Sequence, residues 1–174
     1  ENLLLNGALL GGGGAAYCDL VGCTISDNSS TVMGAGALVS TLESCLVTGN
    51  TVTFNGVSLL EALGVLSISD NFGGGGGIAY AAAENCTIVG NTAKNSSGGG
   101  AFWAVLNNTY IAGNSSTKDG GNQNFYKCPV RAQPWFVCSE EPEYRNSLGY
   151  VDAGADDTFV DAANGDYRLK IGRA

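Results

Sequence analysis

An asparagine recurs at a nearly constant interval through the first two thirds of the chain, and this interval constrains the fold more than any other feature. The positions are Asn6, Asn28, Asn50, Asn71, Asn91 and Asn114. Most of these asparagines end a similar phrase, as in the segments 23–28 (CTISDN) and 86–91 (CTIVGN). A period of about 21 residues, with short apolar segments and glycine punctuation, is typical of a solenoid built from stacked repeats.

Within each phrase, apolar residues alternate with residues that tolerate water. Ile25, for example, is flanked by Thr24 and Ser26. This alternation predicts β-strands with one buried face. We therefore expect a single interior file of apolar side chains, made of Ile25, Val47, Ile68, Ile88 and Ile111. Beside it we expect a ladder of stacked asparagines, made of Asn28, Asn50, Asn71, Asn91 and Asn114.

A repeat of this length is too short for a strand and a full helix, so it predicts two or three short strands per coil. Glycine runs such as 73–77 and 98–100 would form the sharp corners, because glycine tolerates positive φ and close backbone approach. The sequence thus predicts an all-β fold, a right-handed parallel β-helix of about six coils over residues 1–125. An irregular segment of the same domain, residues 126–174, would cap it.

The repeats resemble those of polymorphic outer-membrane proteins, within the wider class of secreted right-handed β-helix proteins. Segments 99–102 (GGAF) and 76–78 (GGI) match the Gly-Gly-[Gly/Ala]-apolar signal, and segments 25–28 and 88–91 match the apolar-x-x-Asn signal. Segment 159–169 also resembles one that often closes such helices. The resemblance implies the fold and a secreted protein, but little about activity, because one fold hosts many functions.

Charge excludes several classes of partner. The chain carries a net charge of −8, its first basic residue is Lys94, and its arginines begin at Arg131. A nucleic-acid binder needs a basic face, and so does a protein that binds anionic membranes. No apolar run reaches the roughly 18 residues of a spanning helix. We expect neither nucleic acid as a partner nor membrane insertion. The chain also begins in mid-coil, as a mature or partial product would.

The repeat limits how the six cysteines can pair. Cys23 and Cys45 would share a column on adjacent coils, whereas Cys45 and Cys86 would lie two coils apart and out of bonding range. We expect these column cysteines to pack as small hydrophobic residues. A disulfide is expected between Cys128 and Cys138, in the irregular segment. The absence of histidine and of a Cys-x-x-Cys motif argues against a metal site, and no cofactor is expected.

Asn-x-Ser/Thr sequons occur at Asn28, Asn85, Asn95, Asn107 and Asn114. Asn85 and Asn95 are the expected glycan acceptors in a source that glycosylates secreted proteins, since one should face water and the other lies in a polar turn. Asn28 and Asn114 belong to the ladder. Asn107 falls on the inward parity of its strand.

Catalysis receives little support. A polysaccharide lyase would need a basic side chain on the outer face, and none precedes Lys94. A hydrolase would need two convergent carboxylates, but Asp27 and Asp70, which share a column, would lie two coils apart. Trp103 and Tyr110 could stack on sugars, although aromatic residues of a solenoid more often fill its corners or core. We predict no catalytic residues and no enzyme.

These observations favour a non-catalytic structural or adhesive β-helix, extracellular or at the cell surface. The edge of the first coil, at residues 1–6, would be open, and open edges pair with further strands. The expected partner is another copy, stacked head to tail as in a filament, with N-linked glycans as covalent additions. The alternative is a carbohydrate-active β-helix of the polysaccharide lyase or hydrolase kind, or a glycan-binding module.

Overall fold

A computed structural model describes residues 11–54, 73–118, 123–126 and 128. It also gives the backbone of six further strands, β1 (Leu4–Leu5), β2 (Ala8–Leu9), β20 (Val137–Ser139), β21 (Tyr150–Val151), β22 (Phe159–Asp161) and β23 (Asp166–Leu169). All secondary structure in this described part is β, and no helix in it is long and apolar enough to cross a membrane.

Four complete coils are described, each made of four short strands. The first coil contains β3 (Ala15–Ala16), β4 (Asp19–Val21), β5 (Thr24–Ser26) and β6 (Ser29–Ser30). The second contains β7 (Ala37–Leu38), β8 (Thr41–Glu43), β9 (Leu46–Thr48) and β10 (Thr51–Thr53). The third contains β11 (Ile78–Ala79), β12 (Ala82–Glu84), β13 (Thr87–Val89) and β14 (Thr92–Lys94). The fourth contains β15 (Ala101–Phe102), β16 (Val105–Asn107), β17 (Thr109–Ala112) and β18 (Ser115–Ser116), and β19 (Phe125–Tyr126) follows it.

Strands at the same place in successive coils pair in parallel and form four walls. Wall A contains β3, β7, β11, β15 and β19, and wall B contains β4, β8, β12 and β16. Wall C contains β5, β9, β13, β17, β20 and β21, and wall D contains β6, β10, β14 and β18. The parallel β-helix is thus confirmed, and the six strands of wall C agree with a stack of about six coils. Wall C continues past residue 125 through β20 and β21.

The prediction of two or three strands per coil was wrong, because each coil is four-sided. The chain turns every five residues on three sides of each described coil. In the second coil the turns fall at Gly34, Val39, Ser44 and Gly49, all of which have positive φ. Sides this short leave room for only two or three paired residues each.

The predicted position of segment 66–71 as a rung of the stack was also wrong. Strand β9 pairs directly with β13, so Val47 lies opposite Ile88 with no strand between them. Phe54 lies against Gly73, where an added Cβ would come within 2.6 Å of the Phe54 ring. Residues 54 and 73, which bound the stretch outside the described part, therefore lie next to each other. Ile68 and Asn71, predicted for the interior file and the ladder, lie outside the described residues.

The chain segments outside the coils pair differently. Strands β1 and β2 are antiparallel, with Leu4 opposite Leu9, and do not form a first parallel coil as predicted. Strands β22 and β23, within the segment expected to close the helix, are also antiparallel.

The core is a narrow channel between the four walls. Val47, Ile88 and Ile111 are fully buried, and Ile25 in the first coil is 7% exposed. These four residues form the single interior file that the sequence predicts. Alanine and glycine line much of wall A, where successive coils come close. A Cβ on Gly77, for instance, would lie 2.5 Å from the carbonyl oxygen of Gly100 on the next coil.

Candidate functional site

Left-handed corners recur in register through the stack. Four residues with positive φ, spaced by five, occur in each coil. They are Gly12, Tyr17, Gly22 and Asp27; Gly34, Val39, Ser44 and Gly49; Gly75, Tyr80, Asn85 and Gly90; and Gly98, Trp103, Asn108 and Gly113. At three of the four corner columns the residues are glycine, asparagine, aspartate or serine, which suit turns. The column between walls A and B differs and holds Tyr17, Val39, Tyr80 and Trp103.

The residue after a corner often closes it with a side-chain hydrogen bond. Its donor reaches the carbonyl oxygen two residues earlier, as in Ser40 to Leu38 at 2.9 Å and Thr109 to Asn107 at 2.8 Å. Five cysteines do the same, namely Cys18 to Ala16, Cys23 to Val21, Cys45 to Glu43, Cys86 to Glu84 and Cys128 to Tyr126. Cysteine is a small side chain with a weak donor, which suits this position.

The asparagine ladder is the strongest of these columns. Asn50 Nδ2 donates to the carbonyl of Thr48 at 3.0 Å, and Asn91 Oδ1 accepts from the Asn50 backbone N–H at 3.0 Å and from Asn50 Nδ2 at 2.9 Å. The same arrangement links Asn28 to Asn50, and Asn91 to Asn114. Asn50 and Asn91 are fully buried. The ladder predicted from the sequence therefore exists for these four residues.

The ladder has one member that the sequence analysis missed. Asn124 Oδ1 accepts from the backbone N–H of Asn114 at 3.2 Å and from Asn114 Nδ2 at 2.9 Å. The phrase that precedes the other ladder asparagines is absent before Asn124, and the two residues are only ten apart in sequence. A search by period alone could not have found it.

The separation expected between Cys45 and Cys86 was wrong. Because β9 pairs with β13, the two residues occupy adjacent coils, and the Cys45 N–H donates to Cys86 Sγ at 3.5 Å. Burial raises the pKa of the Cys86 thiol from 9.0 to about 11. Cys86 therefore keeps its proton at neutral pH and packs as a structural thiol, as predicted for the column cysteines.

The predicted disulfide between Cys128 and Cys138 is not part of this structure. Cys128 is a thiol whose Sγ lies 3.7 Å from the carbonyl oxygen of Tyr126. The side chain of Cys138 lies outside the described residues. Within the described part of the chain the cysteines are in the thiol form.

The five sequons differ in their surroundings. Asn85 and Asn95 are exposed corner residues, with φ values of 53° and 58°, and remain the predicted acceptors. Asn114 is 6% exposed and its Nδ2 donates to the carbonyls of Ile88 and Ala112, while Asn28 Nδ2 donates within the ladder. The inward parity expected for Asn107 was wrong. Leu106 is the inward residue of β16, and Asn107 lies in register with Glu84 on the outer face, partly exposed.

The outer faces carry two further columns of interest. On wall B, Glu43 and Glu84 lie in register on adjacent coils and are both exposed. At the corner between walls A and B, Tyr80 and Trp103 stack with ring centroids 6.3 Å apart and planes 11° apart. Tyr80 also meets Phe102 edge to face at 5.9 Å. Trp103 thus lies at an exposed corner, whereas Tyr110 is half-buried on wall C.

Soft metal ligands are present but are not assembled. The sequence contains no histidine. Met33 packs with Leu38, Ala79 and Phe102 in an apolar cluster on the outer side of wall A. Within residues 11–54, 73–118 and the short described stretches beyond, no three His, Cys, Asp or Glu side chains are grouped to hold a metal ion.

Comparison with known proteins gives one match. A family model described as "Periplasmic copper-binding protein (NosD)" matches residues 16–127. No curated protein and no solved structure matches the chain. The family is one of right-handed β-helices, in agreement with the four walls described above. The match covers nearly all of the four complete coils and well over half of the 174 residues, and the chain therefore belongs to the NosD family.

Proposed function

We propose that this chain is a non-catalytic structural β-helix of the cell envelope or cell surface, whose end coil stacks on that of another copy. The observation that carries this proposal is the open edge of the first coil. Strands β3, β4, β5 and β6 each end their sheets, so nothing among the described strands pairs with their outer edges. An exposed edge of this kind is a template for a further strand.

The hydrogen bonds of β5 show which of its backbone groups face away from the second coil. The Leu46 N–H donates to the carbonyl of Cys23 at 2.9 Å, and the Asp27 N–H donates to the carbonyl of Thr48 at 3.2 Å. In a parallel ladder, successive residues bond to opposite neighbours. Ile25 therefore bonds toward the second coil, whereas the backbone groups of Thr24 and Ser26 face the open side.

The side-chain hydrogen bonds of the asparagine ladder all run in one direction along the stack. In each described step, an Oδ1 accepts from the asparagine of the preceding coil, as Asn50 accepts from Asn28. By the same geometry, Asn28 Oδ1 faces the place of a preceding coil. The terminal coil of a second copy could supply the donors there, and identical repeats would bring its columns into register.

The use of interior polar groups supports a structural function. The thiols and the ladder amides donate to backbone carbonyls of the walls, so each has a structural function that needs no substrate. Glu43 and Glu84 are the described carboxylates that a hydrolase would use, because they lie in register on adjacent coils. Both are exposed on a regular wall, whereas an acid catalyst needs a site that is sheltered from water.

Copper binding, which the family name mentions, does not fit the described residues. Copper sites in proteins use imidazole, thiolate or thioether ligands. The chain has no histidine, Met33 is buried in an apolar cluster, and Cys86 is held as a thiol that donates to the Glu84 carbonyl. We therefore derive no step that involves copper. The family name also gives a periplasmic location, which supports placing this chain outside the cytoplasm.

The proposal is tested with a proline at the open edge. Ser26→Pro removes an N–H that faces outward and leaves the bonds between β5 and β9 intact, whereas Ser26→Ala is the matched control. The wild type and Ser26→Ala should form end-to-end assemblies, and Ser26→Pro should remain monomeric in analytical ultracentrifugation and electron microscopy. A wild type that stays monomeric at high concentration would refute head-to-tail stacking. Turnover of a polysaccharide that is lost in Glu43→Gln or Glu84→Gln would refute the non-catalytic assignment.

A further inference from the structure

The corner between walls A and B carries side chains that the fold does not require. Tyr17, Val39, Tyr80 and Trp103, here called the aromatic edge, have φ values of 56°, 47°, 50° and 49°. Bulky residues are rare in this region of backbone space, and a β-branched residue there is an outlier. The next corner of the same coils holds Gly22, Ser44, Asn85 and Asn108. Small turn residues would thus suffice at the aromatic edge as well.

The side chains of the aromatic edge face solvent. Tyr17 is 52% exposed, Val39 42%, Tyr80 40% and Trp103 46%. Since the four residues follow strands that pair in register, they form a straight row along the stack, with about 4.8 Å between neighbours. A cluster beneath, which includes Phe102 and Leu38, supports this row from the outer side of wall A. Strained, exposed and supported side chains in a row are typical of a recognition surface.

The charge beside the row limits what can bind there. The adjacent column of wall B contains Asp19, Thr41, Ala82 and Val105, and the Thr41 hydroxyl donates to the Asp19 carboxylate. Glu43 and Glu84 follow on the same wall. The basic side chains of the described residues, Lys94 and Lys118, lie in or just after strands of wall D. An anionic polymer would therefore be repelled, while carboxylates can accept hydrogen bonds from hydroxyl groups.

We propose that the aromatic edge binds a neutral polysaccharide chain. The apolar C–H faces of its sugar rings would contact Tyr17, Tyr80 and Trp103, and its hydroxyl groups would donate to the carboxylates of wall B. A repeating row of rings suits a repeating ligand, because each sugar unit meets a similar surface along the stack. This binding site is independent of the open first coil, so it does not depend on self-assembly.

The test replaces the rings without disturbing the backbone. Asparagine already occupies the equivalent positive-φ corners at Asn85 and Asn108, so Tyr80→Asn and Trp103→Asn should fold at least as well as the wild type. Val39→Asn is the matched control, since it changes the same column but removes no ring. Unchanged circular dichroism and thermal unfolding would show that each variant is folded.

Binding is measured by affinity electrophoresis and calorimetry of the full chain with soluble β-glucan, dextran, mannan and chitin oligomers. Polygalacturonate serves as the anionic probe and tetramethylammonium as the cationic probe. We expect at least one neutral polysaccharide to bind, and Tyr80→Asn and Trp103→Asn to weaken it at least about tenfold, while Val39→Asn leaves it unchanged. The proposal is overturned if none of the neutral polysaccharides binds, if the ring variants bind as well as the wild type, or if only a charged probe binds.

Discussion

At many positions in this protein, the residue type follows from the backbone conformation of the nearest corner. A residue at a corner has positive φ. The residue after it needs a small side chain that can donate a hydrogen bond to the carbonyl two residues earlier. This explains why cysteine, serine, threonine and asparagine occupy equivalent places, such as Ser40, Cys45 and Thr109. It also explains why exposed and buried cysteines make the same bond, since the requirement comes from the backbone and not from redox chemistry.

Val39 is the residue at which relief of strain should be easiest to measure. Its β-branched side chain sits at φ 47°, a conformation that costs about 1–2 kcal/mol for residues other than glycine. Val39→Asn should raise the free energy of unfolding by about 1 kcal/mol, measured by urea denaturation. Val21→Asn is the control, because Val21 is a more exposed valine in an ordinary strand. Equal effects of the two substitutions would contradict this explanation.

Cys86 should make stability depend on pH in the alkaline range. Its pKa is raised from 9.0 to about 11 by burial, so between these values the unfolded chain loses a proton that the folded chain keeps. The free energy of unfolding should be flat below pH 9 and fall above it, by at most about 1.4 kcal/mol per pH unit.

The contribution of Cys86 to the pH dependence of stability is measured by comparing variants. Cys86→Ser keeps a donor but has no thiol to titrate, so the wild type should lose stability faster than this variant as the pH rises. Burial also raises the pKa of Tyr80, which adds the same alkaline loss to both proteins and cancels in the comparison. Identical slopes for wild type and Cys86→Ser would show that Cys86 is not the titrating group.

At the scale of the element, each strand is too short to be stable alone. Two to four residues per strand give few backbone bonds, so stability comes from columns that repeat through the stack. The ladder of Asn28, Asn50, Asn91, Asn114 and Asn124 is the column with the most bonds per residue. Its amides link each coil to the next and close the corner between walls C and D.

Asn91 should be far more important for stability than Asn28. Replacing Asn91 with alanine leaves the carbonyls of Val47 and Val89 without this amide donor and the Asn50 N–H without its acceptor, all in the interior. Each unsatisfied buried group costs about 1–3 kcal/mol, so Asn91→Ala should lose at least about 3 kcal/mol in chemical denaturation. Asn28→Ala, at the partly exposed end of the ladder, should lose about 1 kcal/mol. A loss at Asn28 as large as at Asn91 would contradict the ladder as the main support.

At the scale of the whole molecule, differences in coil length are confined to one edge. Successive corners are five residues apart on three sides of every coil, whereas from wall D to wall A the step is 7, 26 or 8 residues, from Asp27 to Gly34, Gly49 to Gly75 and Gly90 to Gly98. Solenoids place insertions on one face because the other sides must stay in register. The long step contains residues 55–72, outside the described part.

Residues 55–72 should therefore be dispensable for the stack. Phe54 and Gly73 correspond in register to Asn95 and Ser96, which are adjacent in sequence. Joining Phe54 directly to Gly73 would therefore give the same step between corners as from Gly90 to Gly98, and it should leave the coils intact. We expect the shortened protein to keep its β-type circular dichroism and to unfold cooperatively. A control deletion of residues 34–54, which removes a described coil, should abolish cooperative unfolding. Loss of folding after removal of residues 55–72 would show that this segment supplies a coil.

The period of the sequence was enough to predict the solenoid, four residues of its interior file and four of its ladder, because stacking turns like residues into columns. The number of walls could not be read from the period, since left-handed corners are formed by Tyr80 and Trp103 as well as by glycine. Only the structure showed which repeats are neighbours, as with Cys45 and Cys86, because a period records similarity between segments and not the contacts between them. The structure was also needed to place Asn107 on the outer face. Each corner interrupts the inward–outward alternation of side chains, so the alternation of one strand does not predict that of the next.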